Sequence, residues 1–289
     1  MSYKVTFIGI GIMGRGIVKN LQKHNIHLTL YSRDLNKIKD LENSFTIITD
    51  SLEDSVKNSD FIILCLTTDE VVNNIFNVIK NHIKGYLIDF GTTSPELTEK
   101  INNETRKSGN IFIDSPMTGS KLASENAQIT YMVGANSENE LNYCRFLWEM
   151  TGKKIIHCGK VGQGQKAKIS LNMIQASILQ AYMEGLILAK KLGVSENIMN
   201  EIISSSAAKS GISDFKMNYI LEKDYSPHFS LKNMNKDLNH AIKLAMEHSL
   251  TLPQAFSIKS IYHQGILNGL GENDFANLME INLKNNHEI

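Results

Sequence analysis

The sequence predicts an α/β protein in two parts, a doubly wound parallel sheet with covering helices over residues 1–160 and an all-helical half over residues 161–289. Three observations predict it. Short apolar runs alternate with amphipathic stretches from Val5 to about Cys158, the first of these runs ends in a glycine-rich turn, and strand-like runs vanish beyond Gly159.

The first run, Val5 to Ile8, leads directly into Gly9-Ile10-Gly11-Ile12-Met13-Gly14. This is the G-x-G-x-x-G spacing of a strand-to-helix turn that holds a dinucleotide pyrophosphate. Gly9 and Gly11 are expected to let the backbone approach the phosphates, and Gly14 to let the helix pack close to the strand. Glycines also serve ordinary tight turns, but here an amphipathic run follows to about Leu21 and a second strand begins about twenty residues on. A nicotinamide cofactor is therefore expected on Gly9, Gly11, Ile12, Met13 and Gly14.

The end of the second strand, Leu28 to Tyr31, decides which cofactor. An acidic residue there would bind the adenosine ribose hydroxyls and repel a 2′-phosphate. The chain has Tyr31-Ser32-Arg33 instead, and a guanidinium beside a hydroxyl suits that phosphate, with Lys37 adding charge. NADP(H) is favoured over NAD(H). The plainer reading is a solvated arginine in a turn, with Asp34 close enough to pair with it.

Further strands are expected at Phe61 to Leu66, Tyr86 to Phe90, Ile111 to Asp114, Ile129 to Val133 and Lys154 to His157. Several are apolar without alternation, as strands covered on both faces should be. The segment Gly91-Thr92-Thr93-Ser94-Pro95-Glu96 reads as a helix start, capped by Ser94 with Pro95 in the first turn. Thr92 and Thr93 precede the cap and are candidates to face the nicotinamide, a placement the spacing alone does not establish. The loop Asp114-Ser115-Pro116-Met117-Thr118-Gly119-Ser120-Lys121 offers hydroxyls and amides at a strand end, where doubly wound sheets bind ligands. Alone it would read as a turn; on the same sheet as the cofactor turn it becomes a candidate carboxylate site.

From Gln165 to Lys191 the chain is apolar on most of a helical circumference, with Ile169, Met173, Ile174, Ile178, Leu179, Tyr182, Leu186 and Leu188. This predicts a buried helix, about 40 Å long at about 1.5 Å per residue, that links the two halves and forms the spine of the second. Gly193 supplies its stop. Lys168 and Asn172 lie four residues apart on one face of it. Burying an unpaired ammonium is costly, so Lys168 is either at a helix end projecting into water, as Lys166 beside it is expected to be, or a cleft lysine that moves a proton. The residues alone leave these two readings even.

From Ser195 to about Leu283 further helices are expected, broken at Pro227 and Pro253, and Lys284 to Ile289 read as frayed. The three charges on Phe229 to Leu238 lie on changing faces, and most such charges are solvated. His240 and His248, eight apart, lack the close pairing of a metal site, and no metal is assigned.

Thirty basic residues balance thirty acidic ones, which removes any net field drawing the chain to nucleic acid or anionic lipid. Cys65, Cys144 and Cys158 are too few and scattered for a disulfide framework and form no CxxC pair. No apolar run reaches membrane-spanning length, and the first begins too near Met1 for a cleaved signal, so a cytoplasmic protein is expected. Its expected partners are a small-molecule substrate and copies of itself.

Taken in order, Gly9 to Gly14, the Thr92 and Pro95 segment, the Asp114 to Ser120 loop, the Gly162 to Asn172 segment and the Lys236-Asp237-Leu238 triplet resemble the β-hydroxyacid dehydrogenase family. That family includes 3-hydroxyisobutyrate dehydrogenases, tartronate semialdehyde reductases, and glyoxylate and succinic semialdehyde reductases. The resemblance implies a Rossmann-like domain, an all-helical domain built around the long helix and serving in oligomerisation, and an active site in the cleft between them. It implies Lys168 as the catalytic lysine, Asn172 as the residue that orients substrate, Thr118, Gly119 and Ser120 as the carboxylate loop, and Lys236 as a lysine approaching both cofactor and substrate. It also implies a homodimer or homotetramer.

Three departures stand out. Thr118 replaces a commoner serine but keeps a hydroxyl, Gly91 replaces a serine, and Ala123-Ser124-Glu125-Asn126 lacks a usual glycine. Gly119-Ser120-Lys121 looks more like the glyoxylate and succinic semialdehyde reductase branch, which favours NADPH, than the Gly-Gly form of 3-hydroxyisobutyrate enzymes.

The expected activity is reduction of a short aldehyde acid, with Lys168 donating a proton to the developing alkoxide. A lysine reference pKa of about 10.4 suits an acid better than a base, so alcohol oxidation would need burial or a neighbour such as Lys236 to lower it. The alternatives are oxidation of 3-hydroxyisobutyrate or a related hydroxyacid, and a cofactor-binding scaffold that has lost catalysis. Similar imine reductases usually lack the lysine, which argues against imine reduction.

Overall fold

Why the first half forms a sheet is visible in its strands. In the computed structural model, which describes residues 3–287, they are β1 (Lys4–Ile8), β2 (His27–Tyr31), β3 (Thr46–Thr49), β4 (Phe61–Leu64), β5 (Tyr86–Asp89), β6 (Ile111–Asp114), β7 (Met117–Thr118), β8 (Ile129–Gly134) and β9 (Gly152–Gly159). The helices between them are α1 (Ile12–Gln22), α2 (Leu52–Val56), α3 (Asp69–Ile79), α4 (Pro95–Lys107), α5 (Lys121–Glu125) and α6 (Glu138–Glu149). Phe61, Ile62, Ile63 and Leu64 are all buried, as a strand covered on both faces requires.

The strand order is β3-β2-β1-β4-β5-β6-β8-β7, with β9 paired to β8. Strands β3 to β6 run in the doubly wound 3-2-1-4-5-6 order, all parallel, with the order reversing beside β1. The sheet is not wholly parallel, since β8 runs antiparallel to β6 and β7. Fully buried Phe7, Phe61, Ile63, Ile88 and Trp148 belong to the core on one face, and Phe76, Leu87 and Phe112 to that on the other. Each such side chain stabilises the fold by about 1.5–3 kcal/mol relative to exposure.

The sequence reading passes over β3 and β7. Strand β3 is a four-residue edge strand in which Ile47 is 60% exposed, so neither length nor burial pattern marks it. Strand β7 is only two residues long.

The chain divides into two compact units, residues 1–168 and 169–289. The long helix α7 (Gln163–Lys191) begins in the first unit and continues in the second, followed by α8 (Glu196–Ser204), α9 (Gly211–Glu222), α10 (Leu231–Glu247), α11 (Pro253–Leu267) and α12 (Leu278–Asn285). Its stop is as read: Gly193 takes φ +85°, and the N–H groups of Gly193 and Val194 bond back to Lys190 and Ala189. The expectation of burial around most of α7 needs correction. Leu179, Met183 and Leu186 are fully buried, but Ile174 is 50% and Leu188 62% exposed, so the helix buries one stripe and presents apolar side chains on another.

Pro95 and Pro253 stand in the first turns of α4 and α11, and Ser94 caps α4 through the Leu97 N–H. At the C-terminus, Lys284 and Asn285 still belong to α12, so fraying does not begin where the sequence reading places it. The final two residues lie outside the described part. Among the described residues no helix is long and apolar enough to cross a membrane.

Candidate active site

The glycine turn between β1 and α1 is set by two close approaches. A Cβ on Gly14 would lie 2.1 Å from the Gly9 carbonyl oxygen, and one on Gly9, which holds φ +107°, would lie 2.3 Å from that of Cys65. Gly11 alone faces open space, with nothing within 4 Å of an added Cβ. Gly9 thus packs onto the end of β4, while Gly11 leaves open space where a side chain would stand. Helix α1 has no side-chain cap and no acidic residue in its first turn, and Ile12 is 50% exposed while Met13 is half-buried. An uncapped, positive helix end beside an unobstructed glycine fits a dinucleotide pyrophosphate.

At the end of β2, Arg33 is exposed and makes no ion pair among the described residues. Asp34, the partner open to it in the sequence, instead accepts from the Asn36 N–H at 3.1 Å and lies 3.6 Å from the Lys37 ammonium. The Ser32 hydroxyl donates to the Asp34 carbonyl at 2.8 Å. This turn therefore leaves the guanidinium of Arg33 available and engages Lys37.

Two strand ends hold the start of α7. Asp89 and Asp114 lie in register at the carboxyl ends of β5 and β6, both with no exposure. Asp114 accepts from the N–H groups of Gly162 (2.6 Å) and Gln165 (2.8 Å), acting as an N-cap supplied from another strand. Its carboxylate fills a slot lined by glycines: a Cβ on Gly134 would lie 2.2 Å from one oxygen, and one on Gly164 2.8 Å from the other. Burial pushes its pKa up to about 7 against the lowering by the two N–H bonds, and the charge of Asp89 adds to the rise.

Asp89 organises the loop that follows β5. It accepts from the Gly91 N–H at 2.9 Å and from the Thr93 hydroxyl at 3.0 Å. The fully buried Gln165 joins that loop to α7: its Oε1 accepts from the Thr93 N–H at 3.1 Å, and its amide nitrogen donates to the Gly91 carbonyl at 3.0 Å and to Asp89 at 3.4 Å. Thr92 is half-buried within the same loop.

Lys168, one turn beyond Gln165, is only 7% exposed, whereas Lys166 is exposed. Of the two readings open for Lys168, the end of a helix in water is the one the structure removes. The segment after β6 places Thr118 in β7 opposite Thr130, and Gly119 at φ +147°. Ser120 caps α5 by accepting from the Ala123 N–H at 3.3 Å, so its hydroxyl has a structural task besides the expected one. The close approach of this segment to α1 is secured by Gly16, whose added Cβ would lie 2.4 Å from the Ser124 hydroxyl. The amide of Asn20 reinforces it by donating to the Ser124 carbonyl at 2.7 Å.

In the second unit Asn172 and Lys236 meet on one carboxylate. Asp237 accepts from the Asn172 amide at 2.5 Å and from the Lys236 ammonium at 2.7 Å, with Asn172 and Asp237 each 1% exposed. The charges on this stretch are therefore not all solvated. Sequence reasoning gave no role to Asp237, Asp89, Asp114 or Gln165. The available signal was that apolar strands YLID and IFID each end on an aspartate.

Residues 4–159 match the family model described as the NAD binding domain of 6-phosphogluconate dehydrogenase. Residues 162–281 match that described as NAD-binding of NADP-dependent 3-hydroxyisobutyrate dehydrogenase. The chain is 29% identical to glyoxylate/succinic semialdehyde reductase 1 of Arabidopsis thaliana, covering 96% of this chain and 97% of that protein. It is equally 29% identical to the mitochondrial 3-hydroxyisobutyrate dehydrogenase of Drosophila melanogaster, covering 99% and 91%. A solved structure of Mycobacterium tuberculosis 3-hydroxyisobutyrate dehydrogenase with L-serine superposes with a TM-score of 0.87 at 25% identity, covering 97% of this chain and 99% of that one. With the glycine turn, the strand order and both family models in agreement, the chain belongs to the β-hydroxyacid dehydrogenase family of nicotinamide-dependent oxidoreductases.

Proposed function

We propose that this protein reduces a short aldehyde acid, such as glyoxylate or succinic semialdehyde, to the hydroxyacid with NADPH. The observation that carries the proposal is the burial of Lys168 one turn into a helix whose start is fixed by Asp114 and Gln165. A bound nicotinamide supplies the hydride. Lys168 donates the proton to the carbonyl oxygen as negative charge develops there, and Asn172 orients that oxygen. Thr118, Gly119 and Ser120 hold the substrate carboxylate through hydroxyl and backbone donors. Lys236, paired with Asp237, is assigned to substrate and cofactor, and Thr92 to the cofactor.

Arg33 and Ser32 bind the 2′-phosphate, with Lys37 nearby. The exposed guanidinium supports this preference, and a charge-assisted pair of this kind contributes about 1.5–3 kcal/mol. Residues 161–289 serve the substrate and self-association. The exposed Ile174, Leu188, Ile198 and Ile202 favour a homodimer or homotetramer.

A second reading, oxidation of 3-hydroxyisobutyrate or a related hydroxyacid, is supported by the equal identity to the Drosophila dehydrogenase. Turnover of glyoxylate, succinic semialdehyde and 3-hydroxyisobutyrate with both cofactors separates the two. The proposal requires faster reduction of an aldehyde acid with NADPH than oxidation of 3-hydroxyisobutyrate with either NADP or NAD. It also requires Arg33→Ser to cut the preference for NADPH over NADH by about tenfold or more. NADPH binding without turnover of any substrate would favour a non-catalytic scaffold.

A further inference from the structure

We propose that Gln165 is a positioning residue whose side-chain amide locks the helical turn preceding Lys168 to the loop after β5, so that proton donor and cofactor-side loop hold one register. This rests on the reading of Lys168 as the proton donor.

The amide is gripped on every side. Its oxygen takes the Thr93 N–H, its nitrogen serves the Gly91 carbonyl and Asp89, and the backbone N–H of the same residue is held by Asp114. A buried primary amide with three side-chain hydrogen bonds across a sequence separation of 72 to 76 residues has no freedom to rotate. Lys168 follows at i+3, on the next turn and the same side of α7, so any tilt or slip at Gln165 is passed to the ammonium. Thr92 is equally bound to this arrangement, since it lies between Gly91 and Thr93, two of the three residues that the Gln165 side chain contacts. The amide is neither acid nor base. Its contribution is to place two groups that act on opposite partners of a hydride transfer, where a misplacement of about 1 Å can cost about a hundredfold in rate.

The test is a double-mutant cycle between Gln165→Met and Lys168→Ala, read by single-turnover NADPH oxidation with glyoxylate and with succinic semialdehyde, alongside NADPH affinity from fluorescence titration. Gln165→Met preserves length and removes all three side-chain bonds. Its expected effect is a fall in the single-turnover rate of about tenfold to a hundredfold, with NADPH affinity changed by less than about threefold. In the Lys168→Ala background the same change should lower the rate by less than about twofold, because the proton donor that the loop is held in register with is gone. An undiminished rate in Gln165→Met, an equal fall in both backgrounds, or a loss confined to NADPH affinity would overturn the proposal. If Lys168→Ala alone kept the parental rate, the assignment of Lys168 would fail first and this proposal with it.

Should Gln165→Met not fold, Gln165→Glu keeps the oxygen that accepts from Thr93 but sets a carboxylate beside Asp89 and near Asp114, with no donor for Gly91. Its rate relative to the parent should then climb as pH is lowered and a proton restores one donor. A ratio independent of pH would overturn the proposal equally.

Discussion

Asp114 in the first unit and Asp274 in the second are both buried carboxylates that gather backbone N–H groups from distant segments, and they differ in how their charge is met. Asp274 accepts from the N–H groups of His228, Phe229 and Ala276 and takes both its oxygens to the Lys216 ammonium at 2.7 Å. That ammonium is 2% exposed and lies 4.8 Å from the ring centres of Phe215 and Phe275. Burial lowers the Lys216 pKa, and Asp274 opposes that shift. Asp114 receives two N–H groups and pairs with no cation among the described residues. One anchor is charge-compensated and purely architectural. The other is uncompensated and sits at the strand end that carries the turn before Lys168.

The comparison breaks most readily at Lys216. Lys216→Met leaves the Asp274 carboxylate buried without its cation, and chemical denaturation should show a loss of about 3–5 kcal/mol. A loss below about 1 kcal/mol would mean that the N–H groups alone satisfy Asp274, and the contrast with Asp114 would disappear.

Asp114 sharpens the contrast through pH. The folded protein holds this proton more tightly than the unfolded chain, where the carboxyl titrates at its ordinary value of 3.8, so stability declines as pH rises from there through about 7. Between about pH 5 and pH 8 the decline should amount to about 2–3 kcal/mol at about 1.36 kcal/mol per unit. Asp114→Asn, nearly the shape of the protonated acid, should lack it. Parallel stability curves for the two proteins over that range would show that Asp114 is not the group responsible.

The smallest effect serves as the baseline for both units. Ser94→Ala in the first and Ser210→Ala in the second each remove a cap made by an uncharged hydroxyl, to the Leu97 and Ser213 N–H groups respectively. Each should lower the thermal midpoint by the equivalent of about 1 kcal/mol, with no dependence on pH. A pH-dependent loss at either would point to a titrating neighbour that the comparison omits.

What was legible in the chain follows from the range of the interactions concerned. Strands β1, β4, β5 and β6 announce themselves because burial on both faces demands mostly apolar runs, and Ser94 with Pro95 announces α4 because capping is local. Lys168 stands out because it shares one face of the largely apolar α7 with Asn172, one turn on. The anchors do not: Asp114 meets Gln165 across 51 positions, and Asp274 meets Lys216 across 58. Asp237 was overlooked for a different reason. Neighbouring residues on a helix do not normally face each other, yet the long Lys236 side chain reaches the carboxylate beside it, which also receives Asn172. On α7 the apolar side chains do not all mark burial, since Ile174 and Leu188 are exposed.

The central claim is that Lys168 moves the proton. Its most direct test is Lys168→Ala measured for both NADPH affinity and reductive turnover of the preferred aldehyde acid. The account predicts a fall in kcat of about a hundredfold to ten-thousandfold while NADPH binds within about threefold of the parent. Turnover equal to that of the parent protein, with cofactor bound normally, would contradict it.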